Sequence, residues 1–137
     1  MTRHEARVIA LQSLYQIEIG QAQTMQAIAY AVGETKVSDE EMQFIQQLVF
    51  GVVNHQQELD ELLVRSLENW SLDRVGKVEL CILRLSGYEL VFDNTTEVRI
   101  VINEAVELGK EFGAENSGKF INGVLAKLVP AAEAMRS

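Results

Sequence analysis

Positively charged side chains lie near the predicted beginnings of two helices, where they could bind an anion. Arg3, His4 and Arg7 fall in the first two turns of one predicted helix, and Lys119 falls in the first turn of another. Cations at a helix N-terminus oppose the helix dipole, at about 0.3–1 kcal/mol each. The same N-termini offer unpaired backbone N–H groups to anions, so added cations favour a phosphate site. A simpler explanation is that the charges are solvated and pair with nearby acids, and the pattern supports both explanations equally.

Two aromatic side chains lie close to these charges. Tyr15 lies off the apolar stripe of the first predicted helix, and Phe120 directly follows Lys119. An aromatic ring beside a cation can stack on a nucleic-acid base. A single aromatic residue on a helix more often packs into the core, so base stacking and core packing both remain open for Phe120.

The sequence gives little support for catalysis or metal binding. His4 and His55 are far apart and neither lies in a metal-ligand spacing. Paired acids such as Glu40-Glu41 are most simply a solvated helix face. Cys81 lies in an apolar stretch, which is typical of a buried and unreactive thiol. No glycine-rich nucleotide-binding motif occurs. We therefore expect no enzymatic activity, no cofactor and no metal.

The net charge of −8 limits how this chain can bind nucleic acid. A strongly acidic protein is a poor general binder of a polyanion, so any such site must be local. An acidic chain is also a natural partner for a basic protein. No apolar run approaches the roughly 18 residues of a membrane span, and the N-terminus lacks a signal-peptide core. We expect a cytoplasmic protein that does not bind membranes.

Apolar residues recur with helical periodicity along nearly the whole chain, which has a single proline, Pro130. Ser38 and Glu41 have the spacing of a capping box, Gly20 is expected to end the first helix, and Ser117 is expected to cap the last. The fourth helix is apolar on more than one side, which predicts a central position. The predicted helices cover residues 3–19, 24–33, 39–67 with a bend near Asn54-His55, 74–92, 97–112 and 117–129.

The prediction also includes one linker, one turn and one inward-pointing residue of the second helix. Trp70 is assigned to a linker, and the residues from Asp93 to Thr96 are assigned to a turn. Met25 is expected to point inward from the second helix. The sequence therefore predicts one all-α domain over residues 1–137.

Several segments together resemble one known family. The most specific are INEAVEL at residues 102–108 and KFINGVL at residues 119–125. ILRL at 82–85 leads to YEL at 88–90, and the first helix contains Arg7 and the run from Ala10 to Gln16. In this order and spacing, they resemble the NusB family of transcription antitermination factors over nearly the whole chain.

The resemblance implies a fold and a function. The fold would be a compact all-α bundle of about six to seven helices in two helical sub-bundles. The protein would bind boxA RNA together with the ribosomal protein NusE, join RNA polymerase in its elongation complex through that assembly, and support antitermination in ribosomal RNA operons. The alternative is a helical protein–protein interaction module without RNA binding. Whether the free protein is a monomer or a homodimer that hides its RNA face stays open.

The resemblance also implies site residues. The NusE face is assigned to the polar edge of the fourth helix, although buried structural roles for Arg84 and Glu89 are equally well supported. The residues of that face are Glu79, Arg84, Tyr88 and Glu89. The RNA-binding residues implied are Arg3, His4, Arg7, Tyr15, Asn116, Lys119 and Phe120.

The chain departs from the family pattern at its RNA-binding positions. Many members begin with a dense arginine cluster, whereas here Arg3 and Arg7 flank Glu5. Asn116 stands where an aspartate is common, which removes one repulsive charge from the expected RNA edge. Intrinsic RNA affinity is therefore expected to be low and to depend on the protein partner.

Overall fold

The computed structural model describes residues 1–93 and 95–136, and this part of the chain is helical with no strand. A short 3-10 turn at Leu72–Arg74 precedes the central helix. The all-α prediction is confirmed. The seven α-helices are α1 (Arg3–Gly20), α2 (Thr24–Val32), α3 (Asp39–Asn54), α4 (Gln56–Ser66), α5 (Lys77–Val91), α6 (Val98–Phe112) and α7 (Ser117–Arg136).

Helices α1 and α3 begin with the same local device. The hydroxyls of Thr2 and Ser38 accept the backbone N–H of Glu5 and Glu41, whose carboxylates accept the N–H of Thr2 and Ser38. These reciprocal bonds satisfy N–H groups that a helix start leaves unpaired. The N-terminal amine of Met1 donates to Glu41 over 2.7 Å, so the two helix starts are tied together. The capping box predicted at Ser38 is confirmed.

Helix α5 is enclosed by its neighbours, as its sequence pattern predicted. Every residue from Leu80 to Val91 is buried, and α5 packs against α1, α3, α4, α6 and α7. Helices α1, α2 and α3 contact one another in one group, while α4, α6 and α7 lie on α5 in a second group. The central helix thus joins the two sub-bundles into one core.

Two helix boundaries differ from the prediction because tertiary packing outweighs local signals. Helix α7 continues through Pro130 to Arg136 instead of ending near residue 129, and Ala132 beyond the proline is fully buried. Helix α5 begins at Lys77 rather than near residue 74, because the 3-10 turn occupies the preceding residues. The predicted bend is a true break, with His55 between α3 and α4 and its ring stacked on Phe92 at 4.0 Å.

Several local predictions need correction. Gly20 is the last residue of α1, and Gln21 provides the left-handed residue that ends it, with φ of 53°. Met25 is exposed rather than inward. Ser117 is the first residue of α7 rather than its cap, and its hydroxyl bonds to Ala114 and Glu79. The predicted turn from Asp93 to Thr96 includes Asn94, which lies outside the described residues. No helix within the described residues is long and apolar enough to cross a membrane.

Candidate nucleic-acid interface

The beginning of α7 presents three of the predicted RNA-binding residues on one edge. Asn116 and Lys119 are exposed, and Phe120 is half-buried with its ring against the core. Close packing of α6 on α7 sets their position, since a Cβ on Gly109 would lie 3.2 Å from the backbone nitrogen of Gly118. The structure therefore brings Asn116, Lys119 and Phe120 together as the sequence predicted.

Glu79, in the first turn of α5, forms hydrogen bonds with the turn between α6 and α7. The Ser117 hydroxyl donates to the Glu79 carboxylate, and the backbone N–H of Ala114 donates to the same carboxylate at 3.4 Å and to the Ser117 Oγ at 2.8 Å. Burial would raise the pKa of Glu79, but these hydrogen bonds outweigh it and the pKa is lowered. Gly76 leaves room for the carboxylate, because a Cβ there would lie 2.2 Å from Glu79 Oε1.

Glu79 lies next to the residues predicted to bind RNA, and its assignment to the NusE face stays a prediction. Glu79 lines a concavity of about 590 Å³ together with Asn116, Ser117 and Phe120. The carboxylate thus lies beside the residues proposed to bind RNA, and it holds their turn in place. Helix periodicity alone could not show this, because the contact joins residues 38 positions apart.

Trp70, in the linker before α5, is a neighbour of this edge. Its side chain is 54% exposed, and its ring lies edge-on to Phe120 with centroids 6.2 Å apart. Both rings line the 590 Å³ concavity and a second one of about 230 Å³. The sequence contained one signal for this residue. Trp70 is the chain's single tryptophan, and it lies in a polar linker, where it cannot belong to the apolar face of a helix.

The beginning of α1 forms a second cluster, in which each cation has a different environment. Arg3 is exposed, and its guanidinium lies 3.9 Å above the ring of Phe44. His4 lies between two carboxylates of α6, with Nδ1 2.8 Å from Glu104 and Nε2 2.6 Å from Glu111. The hydrogen bond to Glu104 is the largest cause of the raised pKa of His4. His4 therefore joins α1 to α6, and Arg3 is the more available cation.

Arg7 is buried rather than exposed, which corrects its expected role as a phosphate contact. Its Nε and Nη2 donate to the two carboxylate oxygens of Glu89 at 2.9 and 2.8 Å. Burial would lower the pKa of Arg7, but the bonds and charge of Glu89 outweigh it and the pKa is raised. A guanidinium that is 4% exposed and held at two points supports the helix from within.

Tyr15 lies about one-third exposed on the outer side of α1. Together with Gln12 and Phe112 it lines a pocket of about 190 Å³. Phe112 is the last residue of α6, so Tyr15 lies beside the helix end that leads into the turn at Asn116. The structure thus places Tyr15 toward the α7 edge, while Arg3 lies about three helical turns away along α1.

The predicted polar edge of α5 is wrong, because Arg84, Tyr88 and Glu89 are all buried. Arg84 donates through Nε and Nη2 to Asp60 at 2.9 and 3.0 Å and through Nη1 to Glu18 at 2.5 Å, which joins α1, α4 and α5. The structural role left open for Arg84 and Glu89 is the one the geometry supports.

The Tyr88 ring also has a packing role. It lies against α3 so closely that a Cβ on Gly51 would be 2.2 Å from its Cζ. Burial is the largest cause of the raised pKa of the Tyr88 phenol. A side chain held in this way helps to set the distance between α3 and α5.

The described residues show neither a metal-binding cluster nor a reactive thiol. No cluster of three or more histidine, cysteine or acidic side chains is arranged to hold a metal ion within this part of the chain. Burial raises the pKa of the Cys81 thiol to about 12, so the thiol stays protonated and unreactive at neutral pH. The exposed edge at α7 is therefore the region with a distinct arrangement of cation, amide and aromatic groups.

Comparisons with known proteins agree with one another. A model of the NusB family matches residues 4–130. The transcription antitermination protein NusB of Geobacillus kaustophilus is 46% identical over 131 residues, which are 96% of this chain and 98% of the relative. This relative is a transcription factor rather than an enzyme.

Solved structures give the same result for the fold. A NusB structure from T. maritima matches with a TM-score of 0.88 and 31% identity, covering 95% of this chain and 92% of that chain. A chain in the crystal structure of antitermination factors NusB and NusE in complex with dsRNA matches with a TM-score of 0.87 and 32% identity, covering 94% and 96%. In sequence and in fold alike, this chain belongs to the NusB family.

Proposed function

We propose that this chain is an RNA-binding transcription antitermination factor that acts with the ribosomal protein NusE on boxA RNA. It supports antitermination in ribosomal RNA operons, and it reaches the RNA polymerase elongation complex indirectly, through that assembly in the cytoplasm. The role requires no catalysis, and residues 1–137 act as one RNA-binding domain. The observation that carries the proposal is the close match to the chain solved with NusE and dsRNA.

The RNA face is proposed to be the edge at the beginning of α7, extended by exposed groups of α1. Lys119 and Arg3 provide exposed cations, Asn116 provides an amide, and Phe120 and Tyr15 provide aromatic rings. A local basic and aromatic edge is what RNA binding needs on a chain with a net charge of −8. His4 and Arg7 are proposed to hold α1 in place rather than to contact RNA.

The acidic charge also supports a basic protein partner. A positively charged ribosomal protein would neutralise part of the −8 field and would offer further cations to the RNA. RNA and NusE are therefore proposed to bind with positive coupling. By linkage, each must strengthen the binding of the other by the same factor, typically about 5- to 150-fold.

Filter binding of a boxA RNA, with and without NusE, tests the proposal. We expect weak retention of RNA by the chain alone and tighter retention when NusE is added. A scrambled RNA of equal length and base composition controls for sequence-independent attraction. Binding of NusE without any retention of RNA would instead identify a protein–protein interaction module.

The oligomeric state can be measured with the same reagents. A homodimer that covers the α7 edge would compete with RNA, so RNA would convert it to a monomer in sedimentation experiments. A monomer would show no such change on addition of RNA.

A further inference from the structure

We propose that Trp70 is a stacking platform for one unpaired RNA base, held in the 590 Å³ concavity beside Phe120. The phosphate backbone would pass over the two rings to the lysine side of α7. This inference rests on the proposed function and adds a binding residue to it. A concavity of 590 Å³ is also within the usual size range of small-ligand sites, about 300–1,000 Å³.

The exposure of Trp70 is the first support. A 54% exposed indole leaves a large apolar surface in water, which folding alone does not favour. The rings of Phe120 and Trp70 meet at an interplanar angle of 69°, so Phe120 is not stacked flat on the indole. An aromatic face presented to solvent in this way is available for a base.

The two concavities that share Trp70 and Phe120 differ in charge. The charged side chains that line the smaller one are Lys119, Lys127 and Glu68, so lysines outnumber acids there. Those that line the larger one are Glu79, Glu115 and Arg74, so acids outnumber cations there, and Asn116 adds an amide. Carboxylates repel phosphates, so the RNA backbone is favoured on the lysine side. The amide of Asn116 and the exposed carboxylate of Glu115 can bond to the polar edge of a neutral base. The charge distribution thus matches the two chemical parts of a nucleotide.

The surface of α7 leaves a path for the backbone. Lys119, Gly123 and Lys127 follow one another at four-residue spacing, so they share one face of the helix. A Cβ on Gly123 would meet no atom within 4 Å, which shows that this floor is open. Lys127 is held by Glu68 over 2.8 Å, so it lies at the far end of the path as a partly neutralised cation.

Trp70 also provides the measurement, because it is the only tryptophan in the chain. Its intrinsic fluorescence therefore reports on this single site. We expect a single-stranded boxA RNA to quench the fluorescence along the same curve as filter retention, with NusE present if the chain alone binds too weakly. NusE added alone gives the reference signal for its own fluorescence and for any effect on Trp70.

Substitutions separate stacking from proximity. Trp70→Leu should weaken RNA binding roughly 5- to 150-fold, which corresponds to the loss of one stacked base. Trp70→Phe should retain most of the affinity, because it keeps a π-face. Tyr30→Leu is the matched control, since Tyr30 is a 77% exposed aromatic on α2 and should leave RNA affinity unchanged. Thermal melting of each variant checks that the fold is intact.

The outcomes distinguish this inference from the proposed function. Retention of RNA with unchanged Trp70 fluorescence, or with wild-type affinity in Trp70→Leu, would overturn the stacking platform and leave the RNA-binding function standing. Failure of the unmodified chain to retain RNA with or without NusE would refute the function and the inference together. Quenching combined with the affinity order wild type, Trp70→Phe, Trp70→Leu would support the platform.

Discussion

Arg7 and Glu89 form a buried, two-point ion pair that joins the first helix to the central helix. The two nitrogen–oxygen distances are 2.9 and 2.8 Å, and the side chains are 5% and 2% exposed. Arg7 lies near a helix start, where a phosphate contact was expected, but it forms an ion pair inside the core. The exposed and buried cations of α1 therefore predict different variant phenotypes.

Arg7→Ala should destabilise the protein by about 3–5 kcal/mol, because Glu89 would lose its guanidinium partner in the core. Urea unfolding followed by circular dichroism measures this loss. Arg3→Ala is the matched control on the same helix and should change stability by no more than about 0.5 kcal/mol. Equal unfolding midpoints for wild type and Arg7→Ala would show that the pair contributes no net stability.

Lys119→Ala should lower RNA affinity and reduce its dependence on salt. Loss of one phosphate contact to single-stranded RNA should make the slope of log affinity against log salt smaller by about 0.7. The measurement is filter binding at four or more salt concentrations. Lys36→Ala is the control, because Lys36 is exposed in the loop between α2 and α3. An identical slope for Lys119→Ala and wild type would contradict a phosphate contact at this residue.

Glu79→Ala should destabilise the protein by about 1.5–3 kcal/mol, since the Ser117 hydroxyl and the Ala114 N–H lose a charged acceptor. RNA affinity should fall severalfold both with and without NusE, because the turn that holds the α7 edge loosens. Glu34→Ala, which removes an exposed acid in the loop between α2 and α3, controls for the loss of charge. A loss of RNA affinity that appears only when NusE is present would instead place Glu79 on the partner face.

His4 should make stability depend on pH near neutrality. Its pKa is raised in the folded state, mainly by the hydrogen bond to Glu104 and further by Glu111. The stabilisation is therefore complete below the unfolded pKa of about 6.5, and it is lost as pH rises through the folded value. Unfolding free energies of wild type and His4→Ala, measured from pH 5 to 9, should converge as pH rises. A constant difference across this range would rule out the protonated bridge.

Gly51→Ala should destabilise the protein by about 1–3 kcal/mol, because the new methyl group would overlap the Tyr88 ring. Thermal and urea unfolding report the change. Gly123→Ala is the contrasting variant, since its methyl group meets open space on α7 and should stabilise the helix by roughly 0.5–1 kcal/mol. Equal effects of the two substitutions would show that the contact with Tyr88 is not tight.

The sequence alone was sufficient for the helical architecture and for one edge of the candidate site. Apolar periodicity and the Ser38–Glu41 box are local signals, so they predicted the helices and the central position of α5 without knowledge of contacts. Asn116, Lys119 and Phe120 are neighbours in sequence at one helix start, and for that reason their grouping survived in the structure.

Tertiary structure alone decided which charges are buried. Arg7 and Glu89 are 82 positions apart, and Arg84 and Asp60 are 24 apart, so no helical spacing could reveal either pair. A solvated arginine and a core arginine look the same in a sequence, because the difference is the partner that packing brings within hydrogen-bond distance. Tertiary packing also explains why α7 continues through Pro130 and why Trp70 lies beside Phe120. Both features depend on the approach of segments that are distant in sequence, and no local preference of the chain predicts them.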